Sequence, residues 1–109
     1  MSDMDVRQIM LDIPNYFNAE KAKGVSGIIQ CMFSGNQASD WVIKIEDQQC
    51  SVEEGTAANP DLTIKADAED GVKILTKQID PMRAYMLGKV KVFGDLSLGM
   101  KLTNFFDRG

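Results

Sequence analysis

The spacing of apolar residues changes from a helical period to a strand period and back, which limits the folds open to this chain. In the first 17 residues, Val6, Ile9, Met10 and Ile13 recur at intervals that place them on one face of a helix. From Gly24 onward, apolar and polar residues alternate in several short runs, as expected for strands with one buried face. A run of strands with helices at both ends predicts an α+β fold, with one mixed sheet and helices on a single face.

Turn and capping residues divide the chain into a helix, four strands, two helices, a fifth strand and a last helix. Asp5 can cap the first helix, and Pro14 limits it because proline lacks a backbone donor. Asn18 predicts a second short helix over 19–23, which Gly24 ends. The first three strands should form an antiparallel meander. We expect strands over 25–34, 40–46, 50–54, 62–66 and 90–92, helices after Asp67 and Asp80, and a last helix after Asp95 that carries Leu98, Leu102, Phe105 and Phe106.

Several kinds of chemistry lack the residues that they need. The chain has no histidine, which excludes Ser-His and Cys-His nucleophilic catalysis and histidine metal sites. The acidic pairs at 46–47 and 53–54 are adjacent in strands or turns, so their members point to opposite faces and do not form a catalytic pair. No glycine-rich phosphate loop is present in the sequence. We therefore expect no enzyme activity, no metal and no cofactor.

The charge of the chain is unevenly distributed. The net charge is −4, with −8 in residues 1–70 and +4 in residues 71–109, and this acidic balance argues against nucleic-acid binding. The positive last third is either an uneven solvated surface or a basic rim that attracts an anionic headgroup. No apolar run approaches the ~18 residues of a membrane span. The acidic residues 1–5 do not resemble a signal peptide, so we expect a cytoplasmic location and one domain over 1–109.

Apolar residues are concentrated in the last third of the chain. Seven methionines in 109 residues is a high number, and methionine suits surfaces that adapt to variable apolar partners. Met100 lies about 200° around the predicted helix from Leu98, so this helix is apolar on two faces. Such a helix enters a larger core or faces a ligand or a partner. The residues concerned are Met82, Tyr85, Met86, Leu87, Leu98, Met100, Leu102, Phe105 and Phe106.

The order of several short segments resembles the sterol carrier protein type 2 family, in a short single-domain bacterial style. The most specific segment is MLGKVKVFGD at 86–95, followed by Leu98 and by MKL at 100–102. The resemblance extends over roughly residues 14–106. The other segments that carry it are FNAEKAKG at 17–24, IQ at 29–30, FSG at 33–35, DW at 40–41, VEEG at 52–55 and PDLTI at 60–64.

This resemblance implies a hydrophobic tunnel between a five-stranded sheet and its helices. It implies non-covalent binding and transfer of fatty acids, fatty acyl-CoA, sterols or phospholipids, with no catalytic residues. Family members often carry a glutamine in the tunnel where this chain has Thr103, whose hydroxyl can still bond a headgroup. The lipid-binding residues expected on this basis are Met82, Tyr85, Met86, Leu98, Met100, Leu102, Thr103, Phe105 and Phe106.

Three hypotheses of function remain open from the sequence. The leading one is a lipid-binding module whose partner is a small lipid and which contacts a membrane surface or a lipid-metabolising enzyme transiently. The second is a scaffold domain with a filled core that docks on or regulates such an enzyme. The third is an enzyme on lipid thioesters with Cys31 or Cys50 as nucleophile, which lacks a histidine or another evident activating group. A cavity separates the first two hypotheses, because binding needs one and dense packing favours a scaffold.

Overall fold

A computed structural model describes residues 4–107 of the chain. Residues 1–3, on which part of the signal-peptide expectation rests, lie outside the described range, as do both ends of the expected domain. No helix in residues 4–107 has both the length and the apolar character that crossing a bilayer requires. The helices are α1 (Val6–Asp12), α2 (Ala68–Leu75), α3 (Pro81–Met86) and α4 (Leu96–Leu102), and the strands are β1 (Gly27–Ser34), β2 (Ser39–Glu46), β3 (Gln49–Glu54), β4 (Leu62–Asp67) and β5 (Val90–Gly94).

The five strands form one mixed sheet in the order β3-β2-β1-β4-β5. The pairs β1–β2, β2–β3 and β4–β5 are antiparallel, whereas β1 and β4 are parallel neighbours at the centre. The predicted meander and the mixed sheet are thus confirmed. Asp47 and Gln48 join β2 to β3 with φ values of 52° and 60°, the left-handed pair that a two-residue hairpin turn requires.

Aspartate caps begin all four helices, as the sequence predicts. The carboxylates of Asp5, Asp67, Asp80 and Asp95 accept hydrogen bonds from backbone N–H groups in the first turn of α1, α2, α3 and α4. Each bond satisfies a donor that has no partner within its own helix. Because Asp67 ends β4 and Asp95 directly follows β5, these two caps fix where α2 and α4 leave the sheet.

Two predicted helical segments are wrong. Residues 19–24 form a turn rather than a second helix, although the Asn18 side chain accepts a bond from Lys21 N as a cap would. After this cap, Lys23 N donates to Glu20 O and Val25 N donates to Ala22 O. Both hydrogen bonds are of i to i−3 type, and two such bonds are too few to propagate a helix. The last helix ends at Leu102, and a 3₁₀ turn over Thr103–Phe105 leads to Phe106, which forms a β-bridge with Phe17.

One face of the sheet carries the core, and two clusters of buried side chains fill it unequally. The first cluster lies between β1, β2 and α1 and contains large residues such as Trp41, Met10 and Phe106. The second lies near β4, β5 and α3 and has four buried members: Ala66, Ile74, Ala84 and Val90. Small side chains therefore dominate one end of the layer between sheet and helices, and they leave space there.

The other face of the sheet contacts the loop that follows β3. The Gln30 amide is buried at its centre and donates to Gly55 O at 3.0 Å and to Trp41 O at 3.2 Å. Its oxygen accepts a bond from Ala57 N at 2.7 Å. The loop after β3 is thereby held against β1, while Met32 and Phe93 on this face remain partly exposed.

Two glycines in helices make a matched test of how closely those helices pack. A Cβ at Gly71 in α2 would overlap the Phe33 ring, whose Cζ would lie 2.9 Å away, whereas a Cβ at Gly99 in α4 would lie 3.6 Å from Leu62 and Val92. We expect Gly71→Ala to lower the free energy of unfolding by about 1–3 kcal/mol, because overpacking outweighs the gain in helix propensity. Gly99→Ala should be neutral or stabilising by up to about 1 kcal/mol. Urea unfolding followed by circular dichroism measures both, and equal effects would show that α2 does not rest on Phe33.

Candidate functional site

A cavity of about 430 Å³ lies between the β4–β5 end of the sheet and the helices α2, α3 and α4. Its floor is a row of side chains across three neighbouring strands, Cys31, Ile64 and Val92, which the strand register places side by side. The walls are apolar nearly throughout. The full lining is Cys31, Phe33, Ile64, Gly71, Ile74, Leu75, Asp80, Pro81, Met82, Tyr85, Val90, Val92, Leu96, Gly99, Met100, Leu102, Thr103 and Asn104.

The cavity is closed at the sheet and open at α3 and α4. Cys31 on the floor and Leu102 of α4 are fully or almost fully buried. At the other end, Met82, Tyr85 and Met100 are 53%, 52% and 69% exposed. These side chains therefore surround a mouth through which an apolar ligand could reach the sheet.

The cavity remains open because several residues around it have a small side chain or none. Gly71 lets α2 approach β1 until it touches the Phe33 ring, and Gly99 presents no side chain to the floor of the cavity. Ala84 is the one buried residue of α3, and the larger side chains of Met82 and Tyr85 line the cavity only at its exposed mouth. At the opposite end of the sheet, Trp41 and Phe106 occupy the corresponding layer fully.

Polar side chains are few among the lining residues. Asp80, Thr103 and Asn104 border the cavity. Asp80 is engaged as the cap of α3, where its carboxylate accepts a bond from Met82 N at 3.3 Å. Thr103 is half-buried and Asn104 is exposed, so the hydrogen-bonding groups of both side chains lie at the border of the cavity.

The structure brings together five of the nine residues expected to bind lipid. Met82, Tyr85, Met100, Leu102 and Thr103 line the cavity, and their role in lipid binding stays a prediction. The remaining four do not line it: Met86 is exposed at the surface, and Leu98, Phe105 and Phe106 are buried in the first core cluster.

The position of the two phenylalanines follows from a long-range contact. The Phe105 and Phe106 rings lie 6.4 and 5.9 Å from the Phe17 ring, at the end of the 3₁₀ segment that follows α1. Asn18 N also donates to Phe105 O at 2.6 Å. Continuing the helical spacing of Leu98 and Leu102 to these residues was wrong because α4 stops one turn earlier.

Most of the residues that line the floor and walls of the cavity were not predicted from the sequence. Ile64 and Val92 alternate with polar residues in β4 and β5, which is the pattern of a buried strand face. Ile74 and Leu75 lie on the apolar face of α2, and Leu96 opens α4. The periodicity marks these residues as inward-facing, but it does not show that the space above them is empty.

A second, more polar cavity adjoins the first. Its lining includes Lys21, Lys23 and Lys101, together with Val25, Phe105 and Asn104, and its volume is about 600 Å³. Asn104 borders both cavities, whereas Lys101 borders only the second one. Lys21 already contacts the Asp107 carboxylate at 3.2 Å, and the hydrogen bond from the Asn18 amide, together with this contact, lowers the pKa of Asp107.

The two thiols do not have the properties of activated nucleophiles. Burial raises the pKa of Cys31, on the cavity floor, to about 12, and it raises the pKa of the half-buried Cys50 in β3 to about 12 as well. At neutral pH both thiols are therefore protonated. Cys31 contributes an apolar contact to the cavity, as a small buried side chain does.

Comparison with known proteins agrees with this architecture. Hydroxysteroid dehydrogenase-like protein 2 of Xenopus tropicalis is 31% identical over 91 residues, which are 83% of this chain and 22% of that protein. The chain thus spans about a fifth of the length of this curated relative.

Two solved structures share the fold. Palmitated SCP2L2 from Aedes aegypti has a TM-score of 0.70 at 24% identity and covers 95% of this chain and 93% of its own. The stereoselective inverting sec-alkylsulfatase Pisa1 from Pseudomonas sp. has a TM-score of 0.78 at 18% identity, over 89% of this chain and 15% of its own. The same fold thus occurs both alone and as a small part of a longer enzyme.

The family assignment rests on nearly the whole chain. Residues 13–107 match the SCP-2 sterol transfer family, and this range contains all five strands, α2, α3 and α4. The sheet, the helices on one face and the resemblance carried by residues 86–102 agree with that match. The family is one of lipid-binding and lipid-transfer domains. The chain therefore belongs to the SCP-2 sterol transfer family.

Proposed function

We propose that this domain binds the acyl chain of a lipid, non-covalently, in the cavity between β4, β5 and the helices α2, α3 and α4. The observation that carries the proposal is the apolar cavity itself. Its volume of about 430 Å³ falls within the ~300–1,000 Å³ of small-molecule sites, and its floor is hydrocarbon and thiol. The ligand class is a fatty acid, a fatty acyl-CoA or a related lipid with one flexible apolar chain.

The driving force would be burial of the acyl chain. A 16-carbon chain offers on the order of 12 kcal/mol of gross transfer energy, at ~0.8 kcal/mol per methylene. Association and ordering of the chain remove much of this, so micromolar to nanomolar affinity is expected. Selectivity for chain length should be weak, since one methylene changes affinity little in an apolar site.

The polar end of the ligand would lie at Thr103 and Asn104. These two side chains border the cavity where it meets the second, lysine-bearing cavity, and Asn104 borders both. A carboxylate or phosphate placed there would accept hydrogen bonds from these side chains while it stays in contact with solvent. Exposed lysines such as Lys101 would add little to affinity at physiological salt, because water and ions screen them.

A bulky substitution on the cavity floor tests this proposal. Ile64→Trp places a large ring in the cavity, and we expect it to weaken binding of a fluorescent fatty acid at least about tenfold by removing space. Ile28→Trp is the matched control, since Ile28 is also half-buried in the sheet but lies on its other face. We expect the control to bind with wild-type affinity and one-to-one stoichiometry.

The affinities of the two variants can be compared only while both proteins are folded. Thermal unfolding of both variants establishes that each remains folded under the titration conditions. Saturable binding that is unchanged in Ile64→Trp would place the ligand outside this cavity. No saturable binding by the wild-type protein up to the solubility of the probe would overturn the proposal.

The alternative function is a scaffold domain that docks on a lipid-metabolising enzyme. The length of the curated relative favours it, because this fold covers only 22% of that protein. A pure scaffold, however, would gain from a filled core, whereas this chain leaves about 430 Å³ open beside its sheet. Lipid binding therefore accounts for more of the structure.

We further propose that the domain performs no covalent chemistry on its lipid. A thiol whose pKa is raised from 9.0 to about 12 has roughly a thousandfold less thiolate at pH 8. We expect iodoacetamide to alkylate Cys31 and Cys50 far more slowly in the folded protein than in urea. The rate in the folded protein should rise as pH increases toward 11.

Replacement of both cysteines completes this test. The double variant Cys31→Ala, Cys50→Ala should retain fatty-acid binding, and wild-type protein should hydrolyse acyl-CoA no faster than buffer does. Turnover that disappears when either cysteine is replaced would support the thioesterase hypothesis instead.

A further inference from the structure

Four side chains belong both to the lining of the cavity and to the first core cluster. They come from β1, α2 and α4, and none is more than 5% exposed. They are Cys31, Phe33, Leu75 and Leu102, and together they are called the inner wall below. Each of these side chains therefore borders the cavity on one side and the filled half of the core on the other.

The inner wall forms the closed end of the cavity. At the open end, the side chains of Met82, Tyr85 and Met100 are more than half exposed. An apolar chain that enters between them moves from solvent toward residues that have no contact with solvent. The wall is the point at which such a chain has to stop, because the core behind it is already filled.

Phe33 is the largest member of the inner wall, and it spans the layer between sheet and helices. Its side chain starts on β1, and its ring reaches the backbone of α2, where a Cβ at Gly71 would lie 2.9 Å from the ring Cζ. A contact this close leaves no room for a methylene group between the ring and α2. The cavity therefore ends at the Phe33 ring and does not continue into the first core cluster.

The single tryptophan of the chain lies directly behind the inner wall. Trp41 on β2 is the register partner of Cys31 on β1. Side chains of directly paired residues stand side by side on one face of a sheet, with Cβ atoms about 4.5–5.5 Å apart. Trp41 is fully buried and does not line the cavity. Its fluorescence can therefore report on a group that reaches the wall.

We propose that the inner wall, and Phe33 above all, sets the longest acyl chain that the cavity accepts, with the methyl end of the chain against the wall. This inference rests on the proposed function, in which the polar end of the ligand lies at Thr103 and Asn104. Each methylene that enters the cavity raises affinity by at most about fourfold, at ~0.8 kcal/mol. Once the methyl end meets the wall, further methylenes stay at the open mouth and add little. Selectivity is thus weak between neighbouring lengths but has an upper limit.

Competition by saturated fatty acids against one fluorescent fatty acid measures this limit. With acids of about 10 to about 20 carbons, the affinity of the wild type should rise roughly tenfold for each added pair of carbons and then reach a plateau. Phe33→Leu removes about three carbon atoms from the wall, and hydrocarbon can fill an apolar space of this kind. We expect the plateau of Phe33→Leu to begin about two carbons later than that of the wild type.

The matched control shortens another phenylalanine of the same core cluster. Phe106 is as deeply buried as Phe33 but does not line the cavity. Phe106→Leu should lower the free energy of unfolding as Phe33→Leu does, and its plateau should stay at the wild-type length. Equal shifts of the plateau in the two variants would overturn the proposal, because general loosening of the core would then explain both.

A second wall variant keeps the test decisive if Phe33→Leu does not fold. Leu75→Ala opens the same wall from α2, and it should also move the plateau to longer chains. Thermal unfolding gives an independent readout, because a ligand that fits the folded variant stabilises it. An acid two carbons beyond the wild-type limit should raise the unfolding midpoint of a wall variant more than that of the wild type. A plateau at the wild-type length in the wall variants would contradict the proposal.

Brominated fatty acids locate the methyl end of the bound chain. Bromine quenches indole emission only at short range, so an acid brominated at its last carbon should quench Trp41. An acid of the same length brominated beside its carboxylate should not, and the unbrominated acid is the control. The reverse pattern would place the carboxylate at the inner wall and would overturn the proposed orientation.

Failure of the inner wall and failure of the proposed function give different results. Saturable binding of fatty acids with an unshifted plateau in the wall variants would reject the role of the wall and leave lipid binding in place. No saturable binding by the wild-type protein would reject the proposed function and the inner wall with it.

Discussion

The parallel pairing of β1 with β4 at the centre of the sheet determines where every helix can lie. β2 and β3 follow β1 on one side as a meander, and β4 then returns to the other side of β1. Helices α2, α3 and α4 follow β4 and pack over β4 and β5, although side chains of α2 and α4, together with Phe105 and Phe106, also enter the core of the opposite half. The first helix covers that opposite half. The two halves are thus filled mainly by different parts of the chain and differ in packing, and the cavity lies beside β4 and β5.

The difference in packing is a matter of side-chain volume. Trp41, Met10 and the two late phenylalanines fill the half beneath α1, while alanine, valine and glycine dominate beside β5. A well-packed core normally leaves no space larger than a water molecule, so an apolar space of about 430 Å³ reflects apolar contacts that the protein forgoes. A bound acyl chain would restore those contacts. Occupancy by lipid would thus stabilise the fold as well as serve a transfer function.

The order of elements and the four aspartate caps could be predicted because each depends on neighbouring residues, and the mixed sheet was inferred from that order. The helix expected over 19–23 failed since a cap without further i to i−4 bonds does not propagate. The last helix was extended too far because the bridge between Phe17 and Phe106 joins residues 89 positions apart. The cavity floor at Ile64 and Val92 could be recognised as inward-facing, but not as unfilled. An empty space depends on the summed volumes of strands and helices that are distant in sequence, and no local pattern records that sum.

Helices α3 and α4 connect this packing to function because both are apolar on sides that the core does not use. α3 buries one residue, Ala84, so it is attached to the sheet far less firmly than the strands are attached to one another. Elements that bury little open locally at a small part of the global unfolding free energy. Displacing α3 would widen the mouth of the cavity while Trp41 and the β1–β4 pairing stay in place. One feature of the sequence accounts for the weakly held helix, the exposed methionines and the empty space behind them. Around the end of β5, small residues point inward and large residues point outward.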